Sequence, residues 1–215
     1  MADLRCGLRA ARRAVPVALI GCLAAACVPA AEAPAYTSPQ DAFWANLAHH
    51  CGNAYRGELG VAPPGDEMVM PGQELIVHFR ECGEEEIKLP FHIAPLEADG
   101  AWDRSRTWVF MRRPGELEIR HDHRHADGSE DEVTWYGAVS AHEGSPYRQE
   151  FLLPPDDRPE RGWRVEIVPD ERYTYGTIRD GEWRWRVDFD LSEPVAEPPP
   201  PWGHETPPSR VPYPL

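Results

Sequence analysis

Nowhere does the 215-residue chain offer an apolar run of the about 20 positions that a membrane-spanning helix requires. The stretch near its start, Ala14 to Ala26, stops at thirteen. There is no glycine-rich phosphate loop and no dinucleotide fingerprint. Ser105 and Ser140 have no surrounding Gly-x-Ser-x-Gly, so no nucleophile elbow is indicated. No internal repeat is present, and after Gly52 no helical period of useful length recurs. Positive charge is scarce: 22 Lys and Arg against 36 Asp and Glu leave a net charge of −14. That balance argues against a nucleic-acid partner, because phosphates need a basic patch. It argues equally against an electrostatic grip on anionic lipid. The acidity reads as a device for solubility.

The N-terminus has three zones. Arg5, Arg9, Arg12 and Arg13 make a basic head, Ala14 to Ala26 is uncharged and apolar, and Pro, Ala and Glu follow. A basic head, a short apolar run and small residues before a cut form a secretory signal. The segment resembles the bacterial lipoprotein signal, a Leu-type residue, two small residues and then Cys. The resemblance implies that this Cys becomes the first mature residue and carries the lipid. Two sites fit, Leu19-Ile20-Gly21-Cys22 and Ala24-Ala25-Ala26-Cys27. Cys22 matches the box better but leaves only eight apolar residues, Ala14 to Gly21, ahead of it. Cleavage there also leaves three thiols, Cys27, Cys51 and Cys82, in an oxidising compartment. Cleavage before Cys27 leaves two that can pair. Cys27 is therefore the expected anchor and Cys22 the alternative. The expected product is an exported protein held to a cell-envelope membrane through its N-terminal lipid, facing the periplasm or the exterior. The segment before Cys27 holds one acid, Asp3, and four arginines, so the mature chain carries about −17.

Mature length, about 190 residues, suits one domain. Residues 27–38 read as a flexible tether, 39–193 as a β-barrel domain with an N-terminal helix, and 194–215, dense in proline, as an extended tail that does not pack. Trp202 and Tyr213 are the side chains there that could dock, and the tail is available to a protein partner.

Ser38-Pro39-Gln40-Asp41 opens a short helix: Ser38 caps, Pro39 suits the first turn, and Asp41 complements the dipole. Phe43, Trp44, Leu47 and His50 or Cys51 form its apolar stripe, and Gly52 ends it. The remainder alternates. Leu75, Val77 and Phe79 take one face, with Ile76, His78 and Arg80 on the wet one. Ile87 to Ile93, Leu117 and Ile119, Trp163 to Ile167, and Trp183, Trp185, Val187 and Phe189 repeat the pattern. Period two with one dry face marks antiparallel sheet. Asp127-Gly128 and Asp180-Gly181 are hairpin signals. The fold class is all-β: a single antiparallel barrel or sandwich of about nine to ten strands after one short helix. Helix-then-meander order resembles the calycin architecture of lipocalins and fatty-acid-binding proteins, which implies a small apolar ligand inside. The lipocalin Gly-x-Trp signature is missing; Tyr55-Arg56-Gly57 stands at that place. Asp103 to Tyr136 also resembles segments of uncharacterised bacterial secreted proteins, which implies no activity.

His121-Asp122-His123-Arg124-His125 is the unusual cluster. The three histidines share the parity of Leu117 and Ile119, so they continue the inward stripe, and Asp122 and Arg124 are expected to face solvent. Neutral imidazoles spaced by two can hold zinc or another divalent transition metal. Same-face neighbours lie nearly 7 Å apart at about 3.4 Å per residue, so two histidines with a carboxylate or His from a neighbouring strand make the more natural set. Glu130, Asp131 and His142 are the candidates. The plain alternative is a polar barrel mouth whose histidines bond to water, Tyr136 or carboxylates. His49-His50-Cys51 resembles a thiol beside a base, but a disulfide between Cys51 and Cys82 removes the nucleophile. Three functions remain open: a non-enzymatic small-ligand-binding module, a metalloprotein or metal-dependent hydrolase built on His121, His123 and His125, and an accessory protein using its tail.

Overall fold

The computed structural model describes residues 38–63, 72–95 and 100–206. The leader, both anchor cysteines, most of the tether and Tyr213 lie outside the described residues. Helix α1 spans Pro39–Ala48. Ser38 caps it from extended backbone, its hydroxyl accepting the Asp41 N–H at 3.1 Å. Beyond the helix the chain turns through Gly52, whose φ of 86° suits glycine. Gly52 N–H then donates to Phe79 O at 2.7 Å. The expected single stripe is too narrow. Ala42, Phe43, Trp44, Ala45, Leu47 and Ala48 are all buried, because the helix is walled on several sides.

Eleven strands follow: β1 Ala54–Val61, β2 Leu75–His78, β3 Glu81–Cys82, β4 Glu86–Ile93, β5 Asp103–Arg113, β6 Glu116–His123, β7 Tyr136–Val139, β8 Arg148–Leu152, β9 Arg161–Val168, β10 Arg172–Arg179 and β11 Glu182–Asp190. Ten of them lie in the order β7-β6-β5-β4-β2-β1-β11-β10-β9-β8, and the two-residue β3 pairs with β4. Every described ladder is antiparallel, so this is an up-and-down meander in which the first strand pairs with the last. Gly57 faces Phe189 across that ladder. A Cβ there would stand 2.4 Å from the Phe189 ring, so the ring's place requires glycine. Closure is nearly complete. Between β7 and β8 there is one bridge, Ser140 to Phe151, with Ala141 N–H bonded to Glu150 O at 2.8 Å. The architecture is a β-barrel rather than a sandwich.

Alternation places one continuous apolar core inside the barrel, from Tyr55, Val77 and Phe79 through Leu89, Phe110 and Phe151 to Val165, Tyr173 and Phe189. Helix α1 plugs one end. Arg112, at the end of β5, pairs with Asp41 and lies over the Trp44 ring. Asn46 donates to Pro146 O at 2.8 Å, and His49 meets Asp170 in the β9–β10 turn at 3.2 Å. Cys51 and Cys82 form the expected disulfide with Cα atoms 6.0 Å apart, tying the helix end to the β3–β4 hairpin.

Three expectations of facing need correction. Trp183 does not continue the dry face of β11. The β10–β11 register shifts between Thr177 and Ile178, a bulge that turns Trp183 toward Arg164 and Arg186, 5.0 and 6.0 Å from its ring. Ile76, His78 and Arg80 are not wet; all three are buried. Asp122 is only 4% exposed. The reason for the last two lies in the tail, which is extended as expected but packed as far as it is described. Val195 pairs with Ala54, Arg104 donates to Pro200 O at 2.6 Å, and Arg80 donates to Thr206 O at 3.0 Å. His204 meets Asp122 at 2.7 Å. Pro198 and Pro201 are buried in this strap, which lies against the outer face of the sheet around β2, β4, β5 and β6.

Candidate functional site

The end of the barrel opposite α1 is open. There β5 begins, β6 ends and the β10–β11 hairpin turns, with Asp180 and Gly181 both at positive φ as that turn requires. The registers of these strands bring Arg106, Trp108, His121, His123, Thr177 and Trp185 to one level, with Trp163 and Tyr175 beside them. Together with Phe91 and Tyr136 they line a cavity of about 310 Å³ that opens at the mouth. Its walls are mostly rings. Trp108 and Tyr175 stack with centroids 4.0 Å apart, His121 stacks on Tyr136 at 4.6 Å, and Trp185 stands edge-on to Tyr175 at 6.1 Å. Below Trp108 and Tyr175 the interior is filled by Tyr173, Phe79 and Phe189, whose rings touch in turn. The space is a shallow bowl with an aromatic floor rather than a channel.

The polar groups of the bowl are few. His121 is 3% exposed, and both ring nitrogens are engaged: Nδ1 with Tyr136 O at 3.0 Å and Nε2 with the Tyr175 hydroxyl. The carbonyl can only accept, so the ring proton is on Nδ1 and Nε2 accepts from Tyr175. Burial draws its pKa down to about 4, so the ring is neutral at pH 7. His123 Nε2 lies 3.1 Å from the Tyr136 hydroxyl, and burial, with Arg106 nearby, lowers its pKa as well. Arg106 is paired to Asp103 and half-exposed at the rim. Burial also raises the Tyr136 hydroxyl, keeping it a donor.

The sequence cluster is thus divided by the fold. His121 and His123 face the cavity. His125 is exposed in the β6–β7 connection, past the end of the strand, where its backbone N–H donates to Ser129 O at 2.8 Å. Asp122 and Arg124 lie on the outer face, bonded to each other and to the tail. Hydrogen bonds from His204 and Arg124 outweigh the burial that would raise the Asp122 carboxyl and hold it below the usual range. Glu130 pairs with Arg124, Asp131 accepts the Val133 N–H at 2.9 Å, and His142 lines a separate depression with Ser145 and Arg148. Among the described residues, the set of three His, Cys, Asp or Glu ligand atoms lying within 4.8 Å of one another is instead His49, His50 and Asp170, at the plugged end.

Sequence reasoning placed Trp163 and Trp185 on the dry face but had no means of finding Arg106, Trp108 or Tyr175 beside them. Those contacts depend on register between strands 50 or more residues apart in some cases, such as His121 with Tyr175 at a separation of 54. A larger depression of about 590 Å³ lies outside the barrel among Arg56, Glu58, Glu171, Asp188 and Glu193. Charged side chains line most of it, whereas ring faces and polar groups converge at the mouth, the usual character of a small-molecule site. No protein-family model, curated protein or solved structure matches the chain.

Proposed function

We propose that the mature chain is a lipid-anchored envelope protein whose barrel mouth binds a small, flat, partly apolar ligand without transforming it. The observation that carries this reading is the ring-walled bowl of about 310 Å³ above an otherwise packed barrel. A cavity of that size takes a ligand of one or two rings. The packed floor leaves no room for a long acyl chain to descend. Trp108, Tyr175 and Trp185 offer ring faces, and His123, Tyr136 and Arg106 can meet an acceptor group such as a carboxylate at the rim. The metal reading at this end is the weaker one, because His125 stands outside the cavity and, among the described residues, no third His, Cys, Asp or Glu ligand atom lies within 4.8 Å of those of His121 and His123. The accessory reading has less support because the tail to Thr206 is engaged by the barrel itself.

Titration with aromatic carboxylates, followed by tryptophan fluorescence and calorimetry, tests the site. One saturable equivalent is expected, and Trp185→Ala and Arg106→Ala each weaken it about tenfold, the loss of roughly 1.4 kcal/mol. Saturable binding untouched by both substitutions moves the site elsewhere, and no saturable binding by this class ends the proposal. The anchor is tested separately by the intact mass of membrane-extracted protein. A chain beginning at acylated Cys27 is expected. One beginning at Cys22 relocates the lipid, and an unlipidated chain in the soluble fraction removes it.

A further inference from the structure

At the plugged end, where α1 meets the β9–β10 turn, three side chains that the mouth does not use come together. His49 and His50 follow α1 directly, and Asp170 sits in the turn after β9. His49 Nε2 lies 3.2 Å from an Asp170 carboxylate oxygen. His50 Nε2 receives the Asp170 backbone N–H at 3.4 Å, a long contact. All three ligand atoms fall within 4.8 Å of one another. We propose that His49, His50 and Asp170 form a binding site for one divalent transition-metal ion of the zinc type.

Chemistry and burial support the assignment. Two imidazole nitrogens and a carboxylate oxygen are borderline donors suited to zinc and its first-row neighbours, and three protein ligands leave a further position for water. His50 is 1% exposed and held from behind. Its Nδ1 lies 2.8 Å from the Tyr55 hydroxyl, and its ring is packed against Phe79 at 5.4 Å. With Nε2 accepting from the Asp170 N–H, Nδ1 carries the proton and donates to Tyr55, so the Nε2 lone pair points at Asp170 and an ion would take the place of that long 3.4 Å contact. Such an outer partner fixing the ring and tautomer is the usual companion of a metal-bound histidine. The other two ligands face water, with side chains 44% and 75% exposed for His49 and Asp170, which gives an ion a way in. The next residue, Cys51, is bonded to Cys82, so the disulfide holds the histidine pair at the barrel end.

The site is independent of the mouth, and the test separates them. Purified mature protein is dialysed against chelator, then titrated with Zn²⁺ by calorimetry and with Co²⁺ by visible absorption. One equivalent of each is expected to bind. His49→Ala and Asp170→Asn lie at exposed side chains, so the fold persists, and each is expected to reduce affinity at least tenfold. Tyr55→Phe keeps every ligand and is expected to cost roughly 10- to 100-fold. His123→Ala, at the other end of the barrel, is expected to leave the Zn²⁺ affinity unchanged. The proposal is overturned if Zn²⁺ binds the His49→Ala/Asp170→Asn double variant as tightly as the parent, if His123→Ala abolishes binding, or if the parent binds no Zn²⁺.

Discussion

Among the buried histidines, His50, His92 and His121 have their pKa pulled by burial from 6.5 to about 4. Each sits differently. His50 is held by Tyr55, His121 bridges Tyr136 and Tyr175, and the two ring nitrogens of His92 have no hydrogen-bond partner among the described residues. In the unfolded chain each of these rings takes up its proton near pH 6.5, while in the fold it does so near pH 4. Between those values the unfolded state binds more protons, so stability rises with pH across the window and falls on acidification. Each histidine contributes up to ~1.4 kcal/mol per pH unit there. Urea unfolding at intervals from pH 7.5 to pH 4 is expected to give a plateau above about pH 6.5 and a steep decline below it. A flat profile through that window would show that these rings are hydrated in the native protein. The depressed carboxylates Asp122, Glu118 and Glu150 act lower on the scale, since their stabilisation is lost only as they protonate. The same residues show how far local sequence reaches. Parity put His121 and His123 inside because Leu117 and Ile119 had declared the dry face. Nothing local could report that Tyr175 would consume the free nitrogen of His121.

Among the elements, α1 and the tail do complementary work at the barrel's end and flank. α1 is a stopper: its cap, first-turn proline and acidic residue are all readable in Ser38-Pro39-Gln40-Asp41, and the disulfide at its exit closes a 31-residue separation, worth about 3–4 kcal/mol in the chain-entropy picture. The tail is a strap. Its prolines hold φ near −65° in the unfolded chain as well, so docking costs less backbone entropy than it would for an ordinary segment. That is how a stretch with no apolar period can still lie ordered against a sheet. Beneath and beside it are Ile76, His78, Arg80 and His92, all buried although they stand on the outer face. Ending the chain at Ser192 removes the bonds to Ala54, Arg80, Arg104 and Asp122. The expected cost is roughly 2 kcal/mol after the recovered entropy of the strap. More specifically, the pKa of His92, followed by its ring resonances in NMR, is expected to climb from about 4 toward 6.5 as water reaches it. An unchanged His92 in the truncated chain would mean that the barrel alone covers it.

For the whole molecule, ten strands wind once around and the first meets the last, with a thin seam where β7 and β8 share one bridge. Trp135, Tyr136 and Val139 stand exposed beside that seam and the mouth. The antiparallel character, the approximate strand count, the plug helix, the hairpin turns at Gly128 and Asp180-Gly181, and the Cys51–Cys82 pair were all legible in the chain. Each rests on near-neighbour physics: period two, capping chemistry, positive-φ residues and the arithmetic of thiols. A barrel, with a sandwich as the alternative, was expected from the likeness of element order to calycins; alternation alone did not decide between them, because the β1–β11 ladder joins Gly57 to Phe189 and alternation states which face a side chain takes without naming the strand beside it. Trp183 was misread for a related reason, since a single bulge reverses the parity of every residue beyond it. Asp122 was misread for another: a wet face is wet only if nothing covers it, and the proline strap that covers this one carries no periodicity to announce itself. By itself the sequence determined which residues turn, cap, pair and point together. Only the tertiary structure decided which of them meet across the barrel, at the ring-lined mouth and at the His49, His50 and Asp170 cluster, because contacts between residues 120 positions apart are set by register and closure rather than by any local pattern.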